Sequence, residues 1–209
     1  MRLKTVTNIS VDGVTQGHRW IEVAGTAEQE ARGGFERFGW APPLLDEEAS
    51  EFIGRTFLGA DAFLFGRRTY EIFAASWGAG MDPGHPVGQA LNDRPKYVAS
   101  ATLTDPDWPG TTVLSGDVPD AVRALKAAPG GELQVWGSGT LIRTLLAHRL
   151  VDELVLLVYP VIVGQGTRLF PVTGPDLGLA LTGLRSTPSG LTLQTYRATG
   201  PPRYERPTA

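Results

Sequence analysis

A continuous apolar run, Leu154 to Val163, constrains the fold more than any other segment of this sequence. Its residues, Leu-Val-Leu-Leu-Val-Tyr-Pro-Val-Ile-Val, lack the alternation of apolar and polar residues that a half-exposed strand shows. Such a run is typical of a strand that is buried on both faces of a sheet. It is also far shorter than the ~20 residues that a helix needs to span a bilayer. We therefore predict a central strand of an α/β sheet.

Segments of strand and helix character alternate on the N-terminal side of this run. The predicted strands cover residues 3–11, 62–65, 96–99, 112–114 and 133–136, and the predicted helices follow Asp46, Gly66, Asp117 and Gly139. Two further strands, 177–184 and 191–196, come in succession and are joined by Pro188-Ser189-Gly190. This order predicts an α/β fold with a mostly parallel central sheet, helices on both faces and an antiparallel C-terminal edge strand.

Three segments show no clear period. Gly78 to Pro95 is rich in glycine and proline and is predicted as a loop. Residues 200–209 are predicted as a flexible tail after a single domain of residues 1–199. Residues 14–43 mix five glycines with Trp20, Phe35, Phe38 and Trp40. This last segment has two interpretations: a cover over a ligand, or aromatic side chains that close the edge of the core.

The composition limits the possible functions. A net charge of −3 with 20% charged residues does not favour binding of nucleic acid. The absence of cysteine excludes disulfides and thiolate chemistry, and His18, His85 and His148 lack the spacing of metal ligands. No segment has the length of a membrane span, and residues 1–10 lack the apolar stretch of a signal peptide. We expect a cytoplasmic protein that acts on a small molecule, without a metal.

The junction between the strand 133–136 and the following helix has the features of an anion site. Gly137 and Gly139 let the backbone turn tightly and approach a ligand, and a helix start offers unpaired N–H groups. Ser138 or Thr140 could cap the helix or donate a hydroxyl to a phosphate. The third glycine of a dinucleotide fingerprint is absent, because Ile142 occupies its position. The motif alone therefore leaves phosphate binding open.

Two other strand ends carry residues suited to a phosphate. Gly66-Arg67-Arg68-Thr69 opens a helix, and Ser100-Ala101-Thr102 follows the next strand. Arginine binds phosphate with two parallel hydrogen bonds, although an exposed arginine pair beside a helix start has the same appearance. If the carboxyl ends of these strands meet at one edge of the sheet, they could hold a ligand with several phosphates, such as a dinucleotide.

The ordered set of motifs resembles the dihydrofolate reductase superfamily, and within it the C-terminal reductase domain of bacterial riboflavin biosynthesis. The resemblance covers roughly residues 2–198 and includes the stretches 10–13, 33–40, 66–71, 96–103, 137–139, 158–166 and 169–171. It implies a dihydrofolate reductase-like fold, NADPH as cofactor and a homodimer.

The resemblance also implies roles for individual residues. Gly66 and Thr69 would hold the diphosphate, and Arg67 with Ser100 and Thr102 would face the 2′-phosphate that distinguishes NADPH from NADH. The residues expected to bind cofactor are Gly66, Arg67, Arg68, Thr69, Ser100, Thr102, Gly137, Ser138, Gly139, Thr140 and Leu141. The residues expected to contact substrate are Asn8, Trp40 and Tyr159.

This sequence differs from the family pattern in two ways that limit the reactions to be expected. Dihydrofolate reductases carry an acid on the first helix that binds the pterin, whereas the acids here cluster at the start of that helix, at residues 46–48 and 51. Zinc-dependent deamination is not expected, because the chain has no cysteine. Asp12 is the candidate proton donor, although an Asp before a Gly also forms turns. The alternatives to a reductase are a non-catalytic nucleotide-binding protein and a site for another phosphorylated metabolite.

Overall fold

The computed structural model describes residues 1–18, 34–78 and 84–205. Eight strands in these ranges form one sheet in the order β4-β3-β2-β5-β1-β6-β8-β7. The strands are β1 (Arg2–Ser10), β2 (Ala62–Gly66), β3 (Lys96–Ala99), β4 (Thr111–Leu114), β5 (Glu132–Trp136), β6 (Glu153–Tyr159), β7 (Gly178–Ser186) and β8 (Thr192–Gly200).

Five helices and one 3₁₀ turn, Pro42–Leu44, accompany the sheet in the described ranges. The helices are α1 (Glu47–Leu58), α2 (Arg67–Trp77), α3 (Pro86–Asp93), α4 (Val118–Ala127) and α5 (Gly139–Ala147). None of the described helices is long and apolar enough to cross a membrane.

The predicted central strand is confirmed for residues 154–159, whereas residues 160–163 of the apolar run lie beyond the end of β6. The four residues from Leu154 to Leu157 are all buried in β6, which lies between β1 and β8. Every pairing from β4 to β6 is parallel, whereas β8 runs antiparallel to both β6 and β7. The C-terminal hairpin thus forms the antiparallel edge, and the predicted fold class is correct.

Helices cover both faces of the sheet because the strands alternate their side chains. In β2, Phe63 and Phe65 point into a core with α1, α2 and α3, while Leu64 points into a second core with α4 and α5. The first core is aromatic, and its tightest pair is Phe57 stacked on Trp136 at 3.7 Å between ring centroids. The second core is largely aliphatic. Each helix therefore buries its apolar stripe against one defined face.

The prediction of a loop over 78–95 is wrong for its second half. Helix α3 begins at Pro86, and its buried residues Val87, Ala90 and Leu91 follow the i, i+3, i+4 spacing of a helix. Proline is favoured in a first helical turn because it needs no N–H partner there. His85 caps this turn, since its Nδ1 accepts a hydrogen bond from the Val87 N–H at 3.2 Å. Residues 79–83 lie outside the described ranges.

Candidate functional site

A cleft of about 920 Å³ opens at the carboxyl ends of β1, β2, β3 and β5. In a parallel sheet this edge is where ligands bind, because several strand ends and helix starts meet there. The cleft brings together the predicted strand ends, since Gly66, Ser100 and Gly137 all line it. The other predicted cofactor residues that line it are Arg67, Arg68, Thr69, Ser138, Gly139, Thr140 and Leu141.

The starts of α2 and α5 are joined by one hydroxyl. The Gly66 N–H donates to Ser138 Oγ at 2.8 Å, and Ser138 Oγ in turn donates to Thr69 Oγ1 at 2.6 Å. A Cβ added at Gly66 would approach Ser138 Oγ to 3.0 Å, so glycine allows this contact. Gly137 and Ser138 both have a φ of 59°, which produces the sharp turn into α5. The two helix starts are therefore held side by side.

Neither of these helix starts is capped by a side chain. The N-cap residues of α2 and α5, Gly66 and Ser138, make no capping hydrogen bond. Of the two roles considered for Ser138 and Thr140, capping of α5 is not observed: Ser138 bonds across to α2, and Thr140 Oγ1 accepts from Arg143 at 3.1 Å. Residues 66–69 and 137–141 line the cleft, so the positive dipole ends of both helices adjoin it, an arrangement that fits a phosphate.

Arg67 lies beside these helix starts in a polar cluster. Its Nε donates to Glu71 at 2.7 Å and its NH1 to Thr102 Oγ1, and its side chain is 47% exposed. Ser100 Oγ accepts the Thr102 N–H at 3.2 Å and orders the same turn. Thr102 itself does not line the cleft, although it holds Arg67, which does. Glu71 was not among the predicted residues; its i+4 spacing from Arg67 is the signal that identifies it.

The three predicted substrate residues contact one another in sequence, and one of them, Asn8, lines the cleft. The Oδ1 of Asn8 accepts a hydrogen bond from the Tyr159 hydroxyl at 3.1 Å. Burial, and then the charge of Asp46, raise the pKa of Tyr159, so its hydroxyl stays protonated and orients Asn8. Trp40 packs edge-on against Tyr159 at 5.4 Å. Tyr159 and Trp40 therefore support Asn8 from behind.

Asp12 does not line the cleft, and its contacts argue against a role as proton donor. Its carboxylate accepts hydrogen bonds from the N–H groups of Val163 at 2.9 Å and Gly164 at 2.8 Å. Burial alone raises the pKa of Asp12, but these bonds and one from Ser10 outweigh it and lower the pKa to about 2. The side chain is thus an ionised acceptor that fixes the turn after β1.

The wall opposite the glycine turns is apolar and was not predicted. Ile53 and Phe57 from α1 and Phe73 and Trp77 from α2 line this wall. No Asp or Glu is among the described residues that line the cleft, whose ionisable side chains are Arg67, Arg68, His18 and His85. Three of the four acids at the start of α1 have partners outside the cleft, since Asp46 caps the helix and Glu48 and Glu51 pair with arginines.

The aromatic segment 14–43 is partly described. Phe35 is buried with Val14 and Val163, which matches the interpretation as a core edge. Gln16, Gly17 and His18 line the cleft, which matches the interpretation as a ligand cover. Trp20 lies outside the described ranges.

The fold and the cleft define an α/β protein with the architecture of dihydrofolate reductase-like reductases. The sequence matches the RibD C-terminal domain family over residues 3–193, and the chain belongs to that family. The resemblance drawn from the motifs is therefore confirmed, and family membership supports a reductase-type function.

Known proteins similar to this chain agree with that membership. The Bacillus subtilis (strain 168) protein YyaP is 27% identical over 142 residues, which are 67% of this chain and 75% of YyaP. A Shewanella sp. PV-4 structure described as a riboflavin biosynthesis protein has a TM-score of 0.65 at 20% identity, covering 95% of this chain and 99% of its own. A pyrimidine reductase-like protein of Corynebacterium diphtheriae has a TM-score of 0.64 at 16% identity, with coverages of 95% and 92%. At these identities the two structures show the shared fold.

Proposed function

We propose that this protein is an NADPH-dependent oxidoreductase that transfers a hydride to a small heterocyclic, pterin- or pyrimidine-like, or carbonyl substrate. The observation that carries the proposal is the pair of uncapped helix starts, α2 and α5, that face one cleft. Such a pair offers backbone N–H donors and two positive dipole ends to a diphosphate. Membership of the RibD C-terminal domain family and the pyrimidine reductase-like neighbour support the same reaction class.

The residues present fit an NADPH molecule. The first turns of α2 and α5 would hold the diphosphate, with Gly66 and Gly137 letting the backbone come close. Arg67, steadied by Thr102, would hold the 2′-phosphate. Because Glu71 also pairs with Arg67, a phosphate must compete with that carboxylate for the guanidinium group. The second negative charge of the phosphate favours its binding over that of Glu71. Bound NADPH would supply the hydride from its nicotinamide ring.

The chain contributes positioning and exclusion of water on the substrate side. The apolar residues of α1 and α2 would surround the flat ring of such a substrate, and Asn8 would offer its amide at the strand end. Among the described residues, the lining offers His18 and His85, and no carboxylate, as side chains that could deliver the proton required by the product.

A turnover assay tests the proposed reaction. NADPH oxidation is followed by nicotinamide absorbance with a panel of small heterocycles and carbonyl compounds. We expect at least one substrate to be reduced with one NADPH consumed per product. Binding of NADPH without oxidation across the panel would favour the second candidate, a non-catalytic nucleotide-binding protein, which is consistent with the lack of a carboxylate among the described lining residues.

We also propose that the protein forms a homodimer, as the family resemblance implies. The edge strand β7 exposes Leu181 and Leu184, which are 52% and 64% accessible in the single chain. Exposed leucines in a row on an edge strand are typical of a surface that another chain covers. Light scattering coupled to gel filtration measures the mass; a monomer at micromolar concentration would contradict the proposal.

A further inference from the structure

Strand β1 carries two buried hydroxyl groups that have no hydrogen-bond partner among the described residues. They are Thr5 Oγ1 and Thr7 Oγ1, and their residues are 0% and 2% exposed. A threonine hydroxyl that is buried without a partner loses its hydrogen bond to water and gains nothing in exchange. An unpaired polar group of this kind calls for an explanation.

The two threonines face the same side of the sheet but differ in what lies in front of them. Residues two apart on a strand share a face, and the flanking Leu3 and Ile9 place this face in the core with α4 and α5. Thr5 is enclosed within the sheet, since it pairs with Val135 on one side and Leu154 on the other. Its hydroxyl has no access to a ligand.

Thr7, in contrast, lies at the open end of the sheet. The pairing of β1 with β5 ends at Val6 and Trp136. Thr7 is therefore paired with Leu156 of β6 on one side and has no strand partner from β5 on the other. The Gly137 N–H donates to the Val6 carbonyl at 3.1 Å, which places the glycine turn beside Thr7. Thr7 lines the cleft, and Thr5 does not.

We propose that Thr7 is a ligand-binding residue whose hydroxyl pairs with an uncharged polar group, a hydroxyl or an amide, of the dinucleotide in the cleft. This inference rests on the proposed function. Phosphates have better partners at the starts of α2 and α5 and at Arg67. A neutral hydroxyl on the strand floor can donate one hydrogen bond and accept another, which suits a ribose hydroxyl or a carboxamide. Binding then satisfies a group that is unpaired in the free protein.

The test compares matched variants at the two positions. Thr7→Val and Thr5→Val each remove one unpaired hydroxyl and keep a β-branched side chain, whereas Thr7→Ser keeps the hydroxyl. NADPH dissociation constants are measured by nicotinamide fluorescence, and thermal unfolding is measured without ligand. We expect Thr7→Val to bind NADPH about tenfold more weakly, and Thr7→Ser and Thr5→Val to bind it as the wild type does. Free Thr7→Val should unfold at the same temperature as the wild type or higher, which a merely structural role would not produce.

Unchanged NADPH binding by Thr7→Val would overturn the inference while leaving the proposed function intact, and so would equal weakening by both valine variants. A wild-type protein that binds no NADPH would overturn the proposed function and this inference with it. Should Thr7→Val fail to fold, Thr7→Ala supplies the same comparison against Thr7→Ser.

Discussion

The helices of this protein begin in two different ways, with or without a side chain that caps the first turn. The starts of α1 and α4 are capped by the carboxylates of Asp46 and Asp117, which do not line the cleft and accept hydrogen bonds from residues three positions on at 2.9 Å. At the cleft, the starts of α2 and α5 have no side-chain cap. Capping stabilises a helix, so its absence at two adjacent starts leaves donors for something other than the chain itself. This difference is the basis for the proposed anion site at the starts of α2 and α5.

The strongest way to break this contrast is to place a carboxylate at an uncapped start. In Gly139→Asp the new side chain lies in the first turn of α5, where the dipole favours an acid and a Cβ meets no atom closer than 3.5 Å. It would repel a bound diphosphate by ~4 kcal/mol at about 4 Å and an effective dielectric constant of about 20. We expect NADPH affinity to fall at least ~100-fold.

The matched control for this variant is Gly139→Ala, which adds the Cβ without the charge. It should retain NADPH affinity within a few-fold of the wild type, and both variants should keep their thermal stability. Calorimetric titration measures the affinities. Comparable losses in the two variants would point to crowding at residue 139 and would count against an anion at α5.

Removing the arginine beside the uncapped starts should have the next largest effect. Arg67→Ala is expected to weaken NADPH by roughly 10- to 100-fold and NADH much less, because charge-assisted hydrogen bonds to the 2′-phosphate contribute ~1.5–3 kcal/mol. The control is Arg55→Ala on α1, since Arg55 makes a similar four-residue ion pair with Glu51 and does not line the cleft. If NADPH and NADH weaken equally, Arg67 contacts the diphosphate or lies outside the site.

Removing the cap of α4 should lower the stability of the protein and leave its affinity for NADPH unchanged. Asp117→Ala deletes the carboxylate that accepts the Asp120 N–H, and we expect it to lower the free energy of unfolding by ~1 kcal/mol. NADPH affinity should stay at the wild-type value, because α4 is capped and its carboxylate does not line the cleft. Urea unfolding and a ligand titration on the same preparation provide both numbers. A loss of affinity without a loss of stability would contradict the contrast.

The smallest effect is expected for Asp12 and appears only in acid. Its pKa is lowered to about 2 in the folded protein, below the ordinary value of 3.8, so its ionised form stabilises the fold at neutral pH. This contribution is complete above pH ~4 and is lost as the pH falls through about 2. Asp12→Asn should therefore be less stable than wild type at pH 7, and the difference should shrink between pH 4 and pH 2. A gap that is unchanged over this range in thermal unfolding scans would refute the assignment.

Local patterns in the sequence were enough for the fold and for the strand ends and glycine turns that line the cleft, but not for its apolar wall. The apolar run of β6 and the caps at Asp46 and Asp117 depend on neighbours in the chain, and so do the glycine turns before α2 and α5. The position of α3 was missed because the glycine and proline content of residues 78–95 favours a loop, whereas Pro86 lies in a first turn, where proline is compatible with a helix.

Contacts between distant parts of the chain could not be predicted in the same way. Serine is a residue type that often caps helices. The Ser138 hydroxyl instead accepts a hydrogen bond from the Gly66 N–H, 72 residues away, because the fold places the two helix starts together. Asn8 is oriented by Tyr159, which is 151 residues away. Thr5 and Thr7 look identical in the sequence, and only the point at which β5 ends distinguishes them.

The most direct test of the uncapped starts as a dinucleotide site is a calorimetric titration of the wild-type protein with NADPH, NADH and inorganic diphosphate. The account predicts saturable binding of NADPH at a single site, weaker binding of NADH by at least about tenfold, and competition by diphosphate. Binding of neither dinucleotide, or equal affinity for NADPH and unrelated phosphates, would contradict it.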